Sequence, residues 1–129
     1  MKVLLVADEP WISNEANAAL SDPGTVIRET TDPRRVAQAA KEFEPDVVVV
    51  DLQVGSMGGM AVARMLREAE FLNEIAAAPI VLLLDRAADA FIAGRSAADA
   101  WLVKPFTPQE LRAALATATE ASLSGGRTG

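Results

Sequence analysis

Four consecutive valines, residues 47–50, sit inside the stretch DVVVVDLQVGSMGG that begins at Asp46. This run narrows the fold more than anything else in the chain. β-Branched side chains crowd a helix and suit a pleated strand. A strand without polar alternation has no face for water, so both of its faces must be covered. Yet the run ends in a carboxylate, Asp51, followed by a loop containing Gly55, Gly58 and Gly59. A buried strand has no structural need of a charge at its tip.

Other apolar runs repeat the pattern. KVLLVA (2–7), the more polar TVIRET (25–30), PIVLLL (79–84) and DAWLV (99–103) read as strands, with TVIRET suited to a sheet edge. Segments of helical period lie between them. Ile12, Ala16, Ala19 and Leu20 share one face, as do Val36, Ala39, Ala40 and Phe43. Val62, Met65, Leu66 and Ala69 line a third helix, and Leu111, Ala114, Leu115 and Ala118 a last one. Residues 87–95 are alanine-rich and weakly amphipathic, the least defined of the five. Asp32 reads as an N-cap with Pro33 at the first helical position, Pro45 as a stop, and TPQE (107–110) as a capping box. Five β-α units of this kind predict a parallel sheet with helices on both faces. The 129 residues fit one domain, expected over 1–121, with 122–129 a flexible, frayed tail.

Composition removes several functions. The net charge of −6 opposes a nucleic-acid surface, which needs a basic face to displace counterions. Cysteine and histidine are both absent, which excludes thiolate chemistry, Ser-His triads, histidine zinc sites and a phosphohistidine within this chain. The apolar run ahead of Asp8 is too short for a signal peptide, and no run approaches the ~20 residues of a membrane span. A cytoplasmic protein without membrane contact is expected. GSMGGMAVARML superficially suggests a phosphate loop but lacks the G-x-G-x-x-G order and the Walker lysine, which disfavours a nucleotide-binding enzyme.

The residues that close the strands are informative together. Ligands of open α/β sheets bind outside the carboxyl ends of the strands. At those ends lie Asp8 and Glu9, Asp51, Asp85, and Lys104 with Pro105. Carboxylates gathered at one edge repel and raise one another's pKa, which a hard divalent cation relieves. Mg²⁺ takes oxygen ligands from one or two carboxylates and phosphate oxygens. A nearby lysine neutralises an added phosphoryl group. The chemistry this suggests is metal-assisted phosphoryl transfer to a carboxylate, with Asp51 as nucleophile beside a glycine-rich loop that admits a donor.

On these residues the chain, over roughly 2–120, resembles the receiver domains of two-component response regulators. It shares the acidic pair Asp8-Glu9, the acid Asp51, and Lys104-Pro105-Phe106, while Asp51, Met57 and Gly59 follow part of the family's D-x-x-M-P-x-M-D-G. The resemblance implies a flavodoxin-like, CheY-like doubly wound sheet of five strands in the order 2-1-3-4-5 with five helices. It implies Asp51 as phosphoacceptor and Lys104 on the phosphoryl oxygens. Glu9, Asp51 and the backbone carbonyl of Gln53 would hold Mg²⁺, with Asp8 acting through water and a cis Lys104-Pro105 peptide. It also implies phosphorelay signalling from a sensor histidine kinase or phosphotransfer protein, with no enzymatic turnover beyond its own phosphorylation and dephosphorylation.

The chain departs from that family at the switch positions. Leu84 stands where a Ser or Thr is usual and cannot donate to a phosphoryl oxygen, and a one-residue slip in the alignment would put Asp85 itself at that position, which suits phosphate less still. Asp85 follows Leu84 and brings more negative charge, with an ion pair to Arg86 as one expected arrangement. Trp101 replaces the usual Tyr or Phe, either filling a gap or facing a partner, and Trp11 either shields the site or packs. Val54-Gly55 and Glu9 are milder departures. Two functions follow. One is a stand-alone, Mg²⁺-dependent regulator with atypical switching. Its output is contact with a downstream protein or a homodimer through the fourth helix, fifth strand and fifth helix, without DNA binding. The other is a phosphorylation-independent pseudo-receiver that binds proteins.

Overall fold

The structure, a computed structural model, describes residues 1–55 and 57–123, without the side chains of the last two. The elements alternate as the hydrophobic pattern predicts: β1 (Lys2–Val6), α1 (Pro10–Ala19), β2 (Val26–Thr30), α2 (Val36–Phe43), β3 (Val47–Asp51), α3 (Gly59–Phe71), β4 (Ile80–Leu84), α4 (Ala90–Ala93), β5 (Ala100–Val103) and α5 (Pro108–Leu123). The five strands form one parallel sheet in the order β2-β1-β3-β4-β5, the flavodoxin-like doubly wound arrangement. The two least buried strands, β2 and β5, take the edges.

The valine run lies in the middle of the sheet, fully buried. Its alternate residues feed two separate cores. Val47 and Val49 join Val3, Leu5, Val81 and Leu83 beneath Ile12, Leu111 and Leu115 of α1 and α5. Val48 and Val50 join Leu4, Val6, Ile80, Leu82 and Leu84 beneath Val36, Val62 and Leu66 on the other face. Both faces of the central strands are thus apolar, as an unbroken valine run requires.

Two local expectations take a different form. Asp32 caps a 3₁₀ turn, Pro33–Arg35, which leads directly into α2. Its carboxylate accepts from the Arg34 N–H at 3.0 Å. The alanine-rich segment forms a 3₁₀ turn, Ala87–Asp89, and the single helical turn of α4. Helix α2 ends at Glu44 in the left-handed region (φ 51°), just before Pro45. Helix α5 continues to Leu123, and the flexible tail expected at 124–129 lies outside the described residues.

Candidate functional site

Parallel strands deliver all their C-terminal tips to one edge, and strand alternation decides which side chains meet there. Residues 47, 49 and 51 point the same way along β3, as do 81 and 83 along β4, and 100 and 102 along β5. Carrying that alternation past the strand ends sends Asp51, Asp85 and Lys104 to one side of the sheet. They do meet. The Lys104 ammonium donates to Asp51 Oδ1 at 2.5 Å and lies 2.7 Å from Asp85 Oδ1. Asp51 Oδ1 also accepts from the Gln53 N–H at 3.3 Å. The Lys104-Pro105 peptide is cis.

Burial differs sharply among the three. The side chain of Asp51 has no exposed surface, that of Lys104 is 7% exposed, and that of Asp85 32%. Asp51 Oδ2 and Asp85 Oδ2 are both buried without a hydrogen-bond partner among the described residues. A buried carboxylate oxygen without a donor is costly, and an orphan of this kind calls for a physical explanation, whether water, an ion or a functional role. The hydrogen bond from Lys104 holds the Asp85 carboxyl below its ordinary range, against burial, which pushes it up, and with a smaller pull from the Gln53 side chain. For Lys104, burial pushes the ammonium down, but the hydrogen bonds to Asp51 and then Asp85 outweigh it and the net shift is upward. The lysine is therefore held charged between two acids.

Asp8 and Glu9, the other expected site side chains, are tied to separate partners. Asp8 is exposed, and its Oδ2 accepts from the Gly55 N–H at 3.1 Å, linking the loop after β1 to the loop after β3. Glu9 precedes α1 at its N-cap without a side-chain cap bond. Its Oε2 instead accepts from the indole N–H of Trp11 at 2.8 Å. The Trp11 ring in turn leans on Phe106, with centroids 5.7 Å apart. Trp11 therefore both packs and fixes Glu9. Among the described residues no group of three or more acidic side chains is disposed to hold a metal ion. The donor chemistry itself, carboxylate oxygens with one orphaned at Asp51, suits a hard cation.

The loop after β3 owes its glycines to backbone contact. A Cβ at Gly59 would collide with the backbone carbonyl of Asp51, so α3 can start this close to the strand tip only with glycine there. Gly55 takes φ +55° beside the ring of Pro33.

At the switch positions, Leu84 ends β4 fully buried on the α2–α3 side, pairing with Val103 of β5. The expected Asp85–Arg86 ion pair is replaced. Asp85 takes Lys104, while Arg86 turns to Asp89, donating from its backbone N–H to Oδ2 and from its guanidinium to Oδ1, both at 3.0 Å. Arg86 is the N-cap of the 3₁₀ turn and Asp89 its last residue, so the pair caps the turn. Trp101, on the edge strand, is 40% exposed and would lie 3.7 Å from a side chain at Gly94 of the turn after α4. The contact of Asp85 with Lys104 escaped the sequence reading, although the two-residue alternation through 81, 83 and 85 signals it.

A doubly wound sheet with a carboxylate at its central strand tip and a lysine after its fifth strand defines a class of open α/β domain with a charged site at the carboxyl edge of the sheet. Comparison with known proteins narrows it. Residues 3–116 match the response regulator receiver domain family, and the chain belongs to it. It is 31% identical over 112 residues to the DNA-binding response regulator MtrA of Mycolicibacterium smegmatis, covering 85% of this chain and 46% of that protein. The transcriptional regulatory protein TrcR of Mycobacterium tuberculosis is 30% identical over 89% of this chain and 44% of its own. The chain thus spans about half the length of these relatives. Among solved structures, the Vibrio cholerae chemotaxis protein CheY4 superposes with TM-score 0.76 at 25% identity, covering 91% of this chain and 97% of that one. The receiver domain of the Pseudomonas aeruginosa sensor histidine kinase PA1611 has magnesium coordinated in its active-site cleft. It superposes equally well, TM-score 0.76, at 22% identity over 92% and 97% of the two chains. The protein is a signalling module of two-component systems. Among the described residues no helix is long and apolar enough to cross a membrane.

Proposed function

We propose that this receiver domain accepts a phosphoryl group on Asp51, in the cytoplasm, from the phosphohistidine of a sensor histidine kinase or phosphotransfer protein. The observation that carries the reading is the state of Asp51: one oxygen rests on Lys104, and the other is buried with no partner. An Asp51 oxygen attacks phosphorus, the P–N bond to the donor imidazole breaks, and the imidazole leaves with its electron pair and takes up a proton. Lys104 follows the charge onto the phosphoryl oxygens as a compact cation. Mg²⁺ supplies further neutralisation of the phosphoryl oxygens when bound. Asp51, Glu9 and the Gln53 carbonyl would hold it, with Asp8 acting through water. Glu9 must first let go of the Trp11 indole, and Asp51, which has no exposed surface, must be uncovered for the donor. The domain catalyses nothing beyond its own phosphorylation and dephosphorylation.

Output is contact with another protein, or with a second copy, through α4, β5 and α5, where Phe91, Ile92 and Trp101 are 71%, 52% and 40% exposed. With a net charge of −6 the domain's own surface does not bind DNA. A second reading, a phosphorylation-independent binding module, draws on the pairing of Lys104 with Asp85 and the burial of Asp51. Incubation with Mg²⁺ and acetyl phosphate followed by intact mass separates the two. The first reading predicts one phosphoryl adduct, lost on Asp51→Asn and on chelation of Mg²⁺. An unmodified mass under these conditions supports the second.

A further inference from the structure

Asp85 stands outside the phosphoacceptor set, yet it occupies the ammonium on which that set depends. Lys104 lies almost equally close to Asp51 and Asp85, 2.5 and 2.7 Å. We propose that Asp85 is the positioning residue that passes the phosphoryl state of Asp51 to the β4–α4 segment. It does so by losing Lys104 and moving outward, where a hydroxyl at the strand end would be drawn inward. This inference rests on the reading of Asp51 as phosphoacceptor.

Leu84 removes the alternative. It is buried on the opposite face of the sheet, among Val50, Leu82 and Ala93, and has no donor to offer. Asp85 is the next side chain along, and it faces Asp51. An aspartyl phosphate carries roughly −1.5 to −2 charges and three acceptor oxygens where one carboxylate charge stood. A compact ammonium follows the larger charge. Asp85 then loses the partner of its Oδ1, keeps only the smaller pull of the Gln53 side chain, and its neighbour has become more negative. Only one of the two acids can leave for water, because Asp51 is wholly enclosed and Asp85 already has a third of its side chain exposed.

The chain beyond Asp85 is built to carry that displacement as a unit. Arg86 and Asp89 are locked to each other by two hydrogen bonds, so the 3₁₀ turn moves without unwinding. Helix α4 follows at once, four residues long, with Phe91 and Ile92 largely exposed. The Trp101 ring lies against the glycine that ends it, and so reports its position.

The test records intact mass and ¹⁵N–¹H spectra on the same samples of the full chain, with Mg²⁺ alone and with Mg²⁺ and acetyl phosphate. The unaltered chain is expected to form the adduct and to shift the amides of residues 85–94 and the Trp101 indole. Asp85→Asn and Asp85→Ala are expected to form the adduct while those shifts lose most of their amplitude, and Asp85→Glu to restore them. A merely structural role for Asp85 would not give a phosphorylation-dependent loss rescued by charge. Full-size shifts in phosphorylated Asp85→Asn or Asp85→Ala overturn the proposal, as does an adduct on the unaltered chain with unmoved resonances. Absence of any adduct by mass overturns the phosphoacceptor reading first and this inference with it.

Discussion

At the scale of single residues, the site is an unequal contest of two acids for one base. Removing one member of a buried ion pair strands the other's charge, a cost of about 3–5 kcal/mol. Lys104→Met should therefore lower stability by about that much, read from the urea midpoint. The added substitution Asp51→Asn should recover a large part of it, because Asp51 is the fully buried partner. A Lys104→Met variant as stable as the parent would show that the ammonium is not the counter-charge for Asp51. Asp51 and Lys104 were legible in the sequence because a charge at the tip of an apolar strand has no packing reason to be there. The pairing of Asp85 was not, because its neighbour Arg86 offered a nearer opposite charge, and only the alternation through Val81 and Leu83 reveals which way Asp85 points. The hold of Trp11 on Glu9 was hidden for a similar reason: indole and carboxylate are two residues apart, and nothing in their spacing fixes the rotamers.

At the scale of elements, the least legible feature is a polar cluster at the opposite end of the sheet. Arg67 of α3 bonds Glu70 at 2.8 Å, Asp99 at 2.5 Å, and the carbonyls of Ala78 and Ala97 at 2.9 and 3.0 Å. Asp99 also accepts from the Ile80 N–H at 2.8 Å, fixing where β4 begins. Arg67 is 16% exposed, and its partners lie up to 32 residues away, so helical periodicity could only class it as a surface arginine. Arg67→Met should cost about 3–5 kcal/mol and accelerate amide exchange at Ile80 before the centre of β3. Unchanged exchange at Ile80 would mean the cluster does not clamp the strand. The entry to α2 gives a pH signature. The Arg34 side chain, then its backbone N–H, hold the Asp32 carboxyl below its ordinary 3.8. A depressed folded-state pKa contributes stability above 3.8 that is lost as pH falls through the folded value. Asp32→Asn should lower stability at neutral pH, where the charged carboxylate contributes, and flatten the acid limb below pH 3.8, so that the two curves converge at low pH. An acid limb of unchanged slope would place its origin elsewhere. Strands and long helices were readable because burial imposes their period, whereas the single turn of α4 has too few residues to show one.

At the scale of the whole molecule, the sheet separates two cores and gathers its chemistry at one edge, so the apolar pattern alone fixes which residues can meet. The same pattern leaves Phe91, Ile92 and Trp101 facing outward on α4 and β5. If that face is the output surface, phosphorylation should raise the dimer fraction in sedimentation velocity, and Phe91→Glu should return it to monomer while leaving the adduct intact. A monomer in both states would direct the search to a different protein partner. Everything beyond the fold rests on the chemical fate of one enclosed carboxylate. Borohydride converts an aspartyl phosphate to homoserine, so phosphodonor treatment, reduction and peptide mapping locate the modified residue. Homoserine at position 51, dependent on Mg²⁺ and donor, is the predicted result; unreduced Asp51, or homoserine at Asp8 or Asp85 instead, would contradict it.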